Sequence, residues 1–600
     1  MMNQKVENLS ERKKTRRQKV SRTKEGLLSN MFTSSKWNSR IKSANTTKKE
    51  MWLGYVIGVW GMMMTNSIVN SYFNQYLTDV LGFDSSKGAW IVGFMVAFPV
   101  VSKLIDAITN LVMAKVIDST VCKQGKVRPW LILSTPLVFL SIILLFWMPF
   151  AKPIFQAIWI VVAFNLYYSV AYTIWNMSKE LIPAVSTRNV NQRKNLSIAA
   201  NITGNIGTGI VSILFPTILA KVCAMVHGDN RKGYLISMSI IALLSVMTTF
   251  VQYFYTRERV TEERRNQSGI KQNDKSKLEI HKEVGLLTQL NACLKSKYWI
   301  LLVLIILIYN ICGNLRNISL IYYSGWVVNG NAYGRMAAIQ AKFQMIALSP
   351  MGPGILLMLP LTKKFGRTKT IWTTSILTIV GSVLAFISVG KGTMIYAGTA
   401  LAAIGNISFS YMIMSFVGDI IDQVEWKTGV RTDGITGGFI SAVMMFAVGI
   451  AQGLFNLGLM ATGYKQPQMI GMSPEGVALY ADQSAAAVNW INFSYQGSYI
   501  IIGAIVFFIF CFVFKIEKDL PQCTRELQER RVAECAKLGI EYIPAHELQR
   551  REIEEQERQA EEIRIKELKE KCQKKGLDFE VENRKVLDKR EAKAAKKRKK

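Results

Sequence analysis

The chain has 600 residues, half of them hydrophobic, with a mean hydropathy of +0.18 and a formal net charge of +32. Charge and apolar bulk on this scale coexist only when they are segregated along the chain, which excludes an ordinary water-soluble domain. Three histidines and eight scattered cysteines without a C-x-x-C pair, and no nucleophile elbow, P-loop or zinc motif, leave no basis for hydrolytic, phosphoryl or metal chemistry; no enzymatic activity, metal or cofactor is expected.

Residues 1–50 form a basic tail, densest at 12–24, with no apolar h-region near its start, so the first apolar run is read as an uncleaved insertion signal. Runs long enough to cross about 30 Å of hydrocarbon follow near 51–78, 87–114, 129–150, 154–177, 197–222, 233–255, 298–326, 334–362, 368–390, 392–418, 434–461 and 492–515. The chain is thus expected to be an all-α polytopic membrane protein of twelve helices. The long polar break at 256–297 divides it into two six-helix halves, 51–255 and 298–515. Residues 516–600 read as a charged, largely helical tail with a short repeat, CAKLGIEY (535–542) and CQKKGLDF (572–579). Lys and Arg crowd the even-numbered loops and both tails, which predicts cytoplasmic termini and a multi-pass protein of the cell membrane. The basic runs suit contact with anionic lipid; lacking stacking aromatics, they give no reason to expect nucleic acid, and a monomer is expected.

The halves look like a diverged duplication. GKVRPW (125–130) after the second span matches FGRTKTIW (365–372) after the eighth, and Arg193 and Arg431 stand at the entries to the fifth and eleventh. Repeats of this kind build many secondary transporters, with the binding site at the repeat interface near midplane. Inside the spans, polar residues fall on helical faces: Asn66, Asn70 and Asn74 on the first; Asn165, Tyr168, Tyr172 and Asn176 on the fourth; Asn201 and Asn205 on the fifth; Asn310, Asn314 and Asn317, with Arg316, on the seventh; Asn406 and Ser410 on the tenth. Amides and aromatic rings suit a neutral, hydroxyl-rich ligand. Polar residues in membranes also glue helices together, but matched stripes on corresponding helices favour a watered cavity. One carboxylate, Asp106, lies within the second span, and an intramembrane acid marks an ion or substrate pathway.

TDVLG (78–82), KLIDAITN (103–110) through GKVRPW, STRNVNQR (186–193) and GDIIDQVEWKTGVRTDG (418–434) together resemble the glycoside–pentoside–hexuronide:cation symporter family of the major facilitator superfamily, over residues 48–520. The resemblance implies two pseudo-symmetric six-helix bundles and symport of a sugar with a monovalent cation. It assigns Asp106 to the cation, with Asn110 and Asn176 where the family has further acids; for the last, Trp175 is the alternative match. Met63, Met445 and Asn201 stand where it has an acid, a lysine and an arginine. A pocket stripped of these charges implies a neutral glycoside or small oligosaccharide, with Asn66, Asn70, Tyr168, Tyr172, Asn176, Asn201, Asn310, Asn314 and Arg316 as candidate sugar contacts.

Asp106 is left almost alone among amide oxygens. A sodium site prefers several hard oxygens and more than one carboxylate, so a proton is expected as the coupling ion, with sodium or uncoupled facilitation as alternatives. Arg316 keeps a hexuronide or glucuronide open as substrate; Lys103 and Lys342 are read as facing away from the pathway. Asp419, Asp422 and Glu425, opposite Arg193, Arg188 and Lys194 and beside Arg431, are expected to form a cytoplasmic gate between rocking halves, which the family's matching residues do. A carrier of amphiphilic solutes and a non-transporting scaffold are the remaining classes; the polar stripes argue against both.

Overall fold

The computed structural model describes residues 35–43, 45–120, 122–187, 189–262, 285–328, 335–390, 392–474, 477–537 and 545–598. The basic run at 12–24, Arg188 and most of 535–542 lie outside them, as do the side chains of Lys194, Asn201 and Asn205.

Ten helices among the described residues are long and apolar enough to cross a membrane. In chain order they are α1 (Lys48–Val80), α2 (Ala89–Ile117), α3 (Arg128–Phe146), α4 (Pro153–Ser186), α6 (Asn230–Phe254), α7 (Lys297–Val327), α9 (Arg367–Ile387), α10 (Gly392–Thr428), α11 (Ile435–Ala461) and α12 (Ala485–Val513). The predicted fifth and eighth spans correspond to α5 (Val190–Met225) and to a broken pair, Met336–Leu348 and Met351–Phe365, here α8. The break falls at Ser349 and Pro350, where proline withholds the N–H an unbroken helix would need. Several helices outrun their apolar runs: α4 continues to Ser186 and α10 to Thr428. A two-stranded antiparallel hairpin, β1 (Met469–Met472) and β2 (Ala478–Tyr480), joins α11 to α12 and was not expected.

Within the first half α1 packs on α5 and α6, and α3 on α6; within the second, α9 packs on α10 and α12, and α7 on α11. Across the halves α2 meets α11, α5 meets α8 and α1 meets α7. Exchanging each helix for its counterpart six places away turns the 2–11 contact into the 8–5 contact, the pattern of an internal two-fold repeat. Small residues permit the approach: a Cβ on Gly449 of α11 would stand 2.9 Å from the Pro99 carbonyl oxygen of α2, and one on Gly453 2.9 Å from that of Val96.

The repeated loops share a device. The Glu258 carboxylate, four residues beyond the end of α6, accepts the backbone N–H groups of Lys126, Val127 and Arg128 at 2.9, 2.9 and 2.7 Å, capping the start of α3. Glu517, four residues beyond α12, accepts those of Arg367 and Thr368 at 3.2 and 3.3 Å at the start of α9. Gly125 and Gly366, at φ +112° and +82°, turn the chain just before each cap, a conformation open to glycine.

The charged tail is helical, as expected: α13 (Ile516–Lys537), α14 (Ala545–Lys575) and α15 (Phe579–Arg598). Helix α13 docks on the end of α10, where the Trp426 indole N–H donates to Glu526 at 2.7 Å and Arg531 pairs with Glu425 at 3.0 Å. The CQKKGLDF segment stops α14 at Gly576, φ +62°.

Candidate functional site

The site forms around Asp106, only 2% exposed in the second helix. A run of π-helical turns from Leu166 to Tyr172 interrupts α4 facing it. Such turns recur at functional sites because they shift the phase of a helix face. Here they bring two adjacent residues to α2: the Ser169 hydroxyl donates to Asp106 Oδ1, and the Tyr168 ring lies beneath the Lys103 ammonium, 4.0 Å from Nζ to the ring centre. Lys103 Nζ in turn stands 2.7 Å from Asp106 Oδ2. The Tyr168 hydroxyl donates to Asn70 Oδ1 at 2.6 Å, tying α1 into the group.

This corrects two expectations. Asp106 is not alone, and Lys103 does not face away: one turn earlier on the same helix, it is buried as Asp106's ion-pair partner. The three-residue spacing in KLID was the signal, since residues so spaced share a helix face. Asn110 does not reach the carboxylate either; its amide donates to the backbone carbonyl of Asp106 at 2.8 Å and lies 3.7 Å from the Met445 sulfur. On the fourth helix Ser169, not Asn176, meets Asp106; Asn176 lies seven residues on, half-buried.

The remaining stripes divide between glue and open surface. Asn74 is glue, donating to the Tyr322 hydroxyl at 3.0 Å across the halves. Asn66 is half-buried, and its Oδ1 has no hydrogen-bond partner among the described residues. Asn310 and Asn314 are half-buried and donate to carbonyls of their own helix, at 2.8 and 2.7 Å. Asn317 is exposed, and Tyr172 packs edgewise on Tyr168. Asn406 donates to the hydroxyls of Tyr309 and Tyr499 at 3.1 and 3.3 Å. Arg316 is buried between the rings of Tyr495 and Tyr499, 4.1 Å from each centre, and donates to the Tyr495 carbonyl and Gln496 Oε1. Among the described residues no carboxylate pairs with it.

Residues 35–43, the α2–α3 turn and the chain after α6 meet on one face, where Gln124 donates to Asn38 at 2.8 Å and Arg40 N–H to the Phe254 carbonyl at 2.9 Å. At the opposite, distal end the halves are bonded together. The Tyr72 hydroxyl donates to Gln340 at 3.0 Å, Thr78 meets the Tyr322 hydroxyl at 2.7 Å, and the Tyr464 hydroxyl donates to Asp79 at 2.9 Å. Gln466 donates to the Asp79 carbonyl at 2.9 Å. A cavity of about 190 Å³ remains between the halves there, lined by Tyr72, Asp79, Tyr234, Met336 and Tyr480 among others. On the face bearing the tails the expected gate residues pair inside their own half instead. Asp419 binds Arg367 at 2.6 Å, and Arg431 binds Asp422 at 3.3 Å and Glu425 at 2.8 Å. Arg193 is exposed and donates to the Thr187 carbonyl at 3.3 Å, away from the acids. The molecule is therefore closed distally, with these gate groups parted.

A family model described as MFS/sugar transport protein matches residues 54–518. The isoprimeverose transporter of Lactiplantibacillus pentosus is 26% identical over 491 residues, 80% of this chain and 92% of that protein. The lactose permease of Lactobacillus helveticus is 21% identical, covering 79% of this chain and 71% of its own length. Among solved structures, the inward-open xylose transporter XylE from E. coli aligns with a TM-score of 0.50 at 12% identity, over 76% of this chain and 95% of that one, a likeness of fold.

Proposed function

The chain belongs to the MFS/sugar transport protein family, a multi-pass membrane transporter and not an enzyme, and on that premise we propose that it carries a neutral glycoside or small oligosaccharide in symport with a proton. Residues 51–255 and 298–515 act as two rocking bundles joined by 256–297, and the sugar reaches a site between them from alternate sides. With both termini cytoplasmic in the cell membrane, the distally closed arrangement is the inward-facing state.

The observation that carries the reading is the Asp106 group. A buried carboxylate sits at the joint of α2 and α4, and Tyr168 links it to Asn70 on the amide stripe of α1. Cation and sugar contacts thereby share one contiguous group, joined by the Lys103 ammonium over the Tyr168 ring and the Tyr168–Asn70 hydrogen bond, which is what coupling requires. The half-buried amides Asn66, Asn310 and Asn314 supply uncharged donors and acceptors for sugar hydroxyls. Met63 leaves no charge where the family has an acid for a galactoside, and Met445 none where it has a lysine.

Counterflow in liposomes tests the function: purified protein preloaded with each of a panel of neutral disaccharides should accumulate the labelled sugar transiently. Failure with every neutral and uronic sugar tried, by correctly inserted protein, would overturn the assignment. Arg316 supports a second reading. A buried guanidinium without a carboxylate among the described residues would welcome a substrate carboxylate, as in a hexuronide. If only uronic sugars compete, and Arg316→Gln removes that competition, the hexuronide reading replaces the neutral one.

A further inference from the structure

We propose that Lys103 is a tethered counter-ion that excludes alkali-metal cations from the Asp106 site and so makes the carrier proton-selective. The inference rests on the reading of Asp106 as the coupling carboxylate.

The charge at the site sums to zero before any ion arrives. Lys103 and Asp106, 7% and 2% exposed, form a contact pair at 2.7 Å. A sodium or lithium ion added to this pair would leave one excess positive charge in a buried setting, as a proton also would, so what separates the two is the oxygen coordination that a metal ion needs and a proton does not. The ligands are spoken for as well. Oδ2 holds the Lys103 ammonium and Oδ1 the Ser169 hydroxyl. Beside them, Asn110 turns its N–H groups to the Asp106 backbone carbonyl and the Met445 thioether, a soft sulfur of no use to a hard cation. From α4, Asn165 donates to Ser102 at 3.3 Å, and its Oδ1 is already engaged by the Ser169 hydroxyl at 3.2 Å.

A proton is accommodated differently. It comes from the aqueous phase and adds to Oδ2, converting the carboxylate to the acid and displacing one hydrogen bond, while Lys103 remains an ammonium. That ammonium already has a second resting place over the Tyr168 ring, at 4.0 Å, with the Phe164 ring centre at 5.8 Å. The stem is held by α11, where Gly449 leaves room: a Cβ there would stand 3.0 Å from Lys103 Cγ. The charged or titratable groups facing Asp106 are Lys103 on its own helix and the Tyr168 phenol on α4; α11 contributes the uncharged Gly449 and Met445.

The test needs no sugar. Purified full-length protein in detergent is titrated with NaCl and LiCl by calorimetry. Wild type and Lys103→Arg, which keeps the charge, are expected to show no saturable binding of either ion, whereas Lys103→Gln should bind sodium or lithium at least about tenfold more tightly than the weakest affinity the titration detects. Sodium binding by the wild type overturns the proposal and requires no variant. So does a Lys103→Gln protein that remains folded at the titration temperature and gains no alkali-metal affinity. Failure of the sugar counterflow would overturn the transport reading, whereas saturable sodium binding would overturn only the role given to Lys103.

Discussion

Substituting Asn for Asp106 retains the shape of the side chain and removes the charge that Lys103 faces. Breaking a buried pair by deleting one partner costs about 3–5 kcal/mol, because the other charge is stranded. Asp106→Asn is therefore expected to melt well below wild type, and Asp106→Asn with Lys103→Gln to recover most of the loss in a thermal-unfolding assay. Neither protein should concentrate sugar, while exchange without a gradient can persist, since the amide resembles the protonated acid; accumulation by the single variant would remove Asp106 from coupling. At this scale the sequence revealed the acid, because a carboxylate in an apolar run stands out. It concealed the partners. Lys103 was legible from its spacing but was assigned to the wrong side, since where a long side chain points depends on its rotamer and neighbours. Ser169 was not legible at all. A regular helix through Asn165, Tyr168, Tyr172 and Asn176 gives one continuous face, and the π-helical turns at 166–172 shift that face so that Ser169 enters and Asn176 leaves.

Elements are fixed at their ends by groups far away in sequence. Glu258 replaces three water contacts at the start of α3, and hydrogen bonds to a charged group are worth about 1.5–3 kcal/mol. Glu258→Gln is expected to destabilise the purified protein by an amount in that range, read from its melting curve, with Glu517→Gln milder because its bonds are longer. The glycine–basic loops announced the duplication, yet the glutamates that complete it gave no local signal: each lies beyond the last helix of its half. The docking of α13 has a pH signature. The Trp426 indole N–H, with Gln522, holds the Glu526 carboxyl below its ordinary value of 4.5. A lowered pKa in the docked form means docking is fully supported above that value and weakens as pH falls through the lowered one. Fluorescence of Trp426, measured against a Trp426→Phe control, should therefore stay constant from neutral pH down to about 4.5 and change only in stronger acid; a change near neutrality would mean another group governs the contact.

At the scale of the whole molecule, twelve apolar runs in two halves were evident from hydropathy, but not which end would be closed. Hydropathy records burial in hydrocarbon and is blind to the relative tilt of two bundles, so the Tyr322 and Tyr464 bonds could not be foreseen. The acids of GDIIDQVEWKTGVR were visible as a cluster; of their present partners, Arg367 and Arg431 come from the second half and Arg531 from the charged tail. The proposed gate requires that in the opposite state they become available to Arg193. Reversing Asp422 to Arg is expected to lower transport, and adding Arg193→Asp to restore part of it; a double variant no better than the worse single would show that the two never meet. The two closures also differ in kind. The distal one is built largely from hydroxyl and amide donors on buried tyrosines and glutamines, whereas the proposed cytoplasmic gate would draw on half-exposed ions such as Asp422 and Arg431, at 44% and 36% exposure. Dissolved salt reaches the second and scarcely the first, since the screening length falls from about 8 Å at physiological strength to about 3 Å at 1 M. The salinity of the medium then acts as a thumb on the scale: brine should favour the distally sealed form, and interspin distances between labels placed at the two mouths should lengthen on the tail-bearing side and shorten on the other as salt is raised.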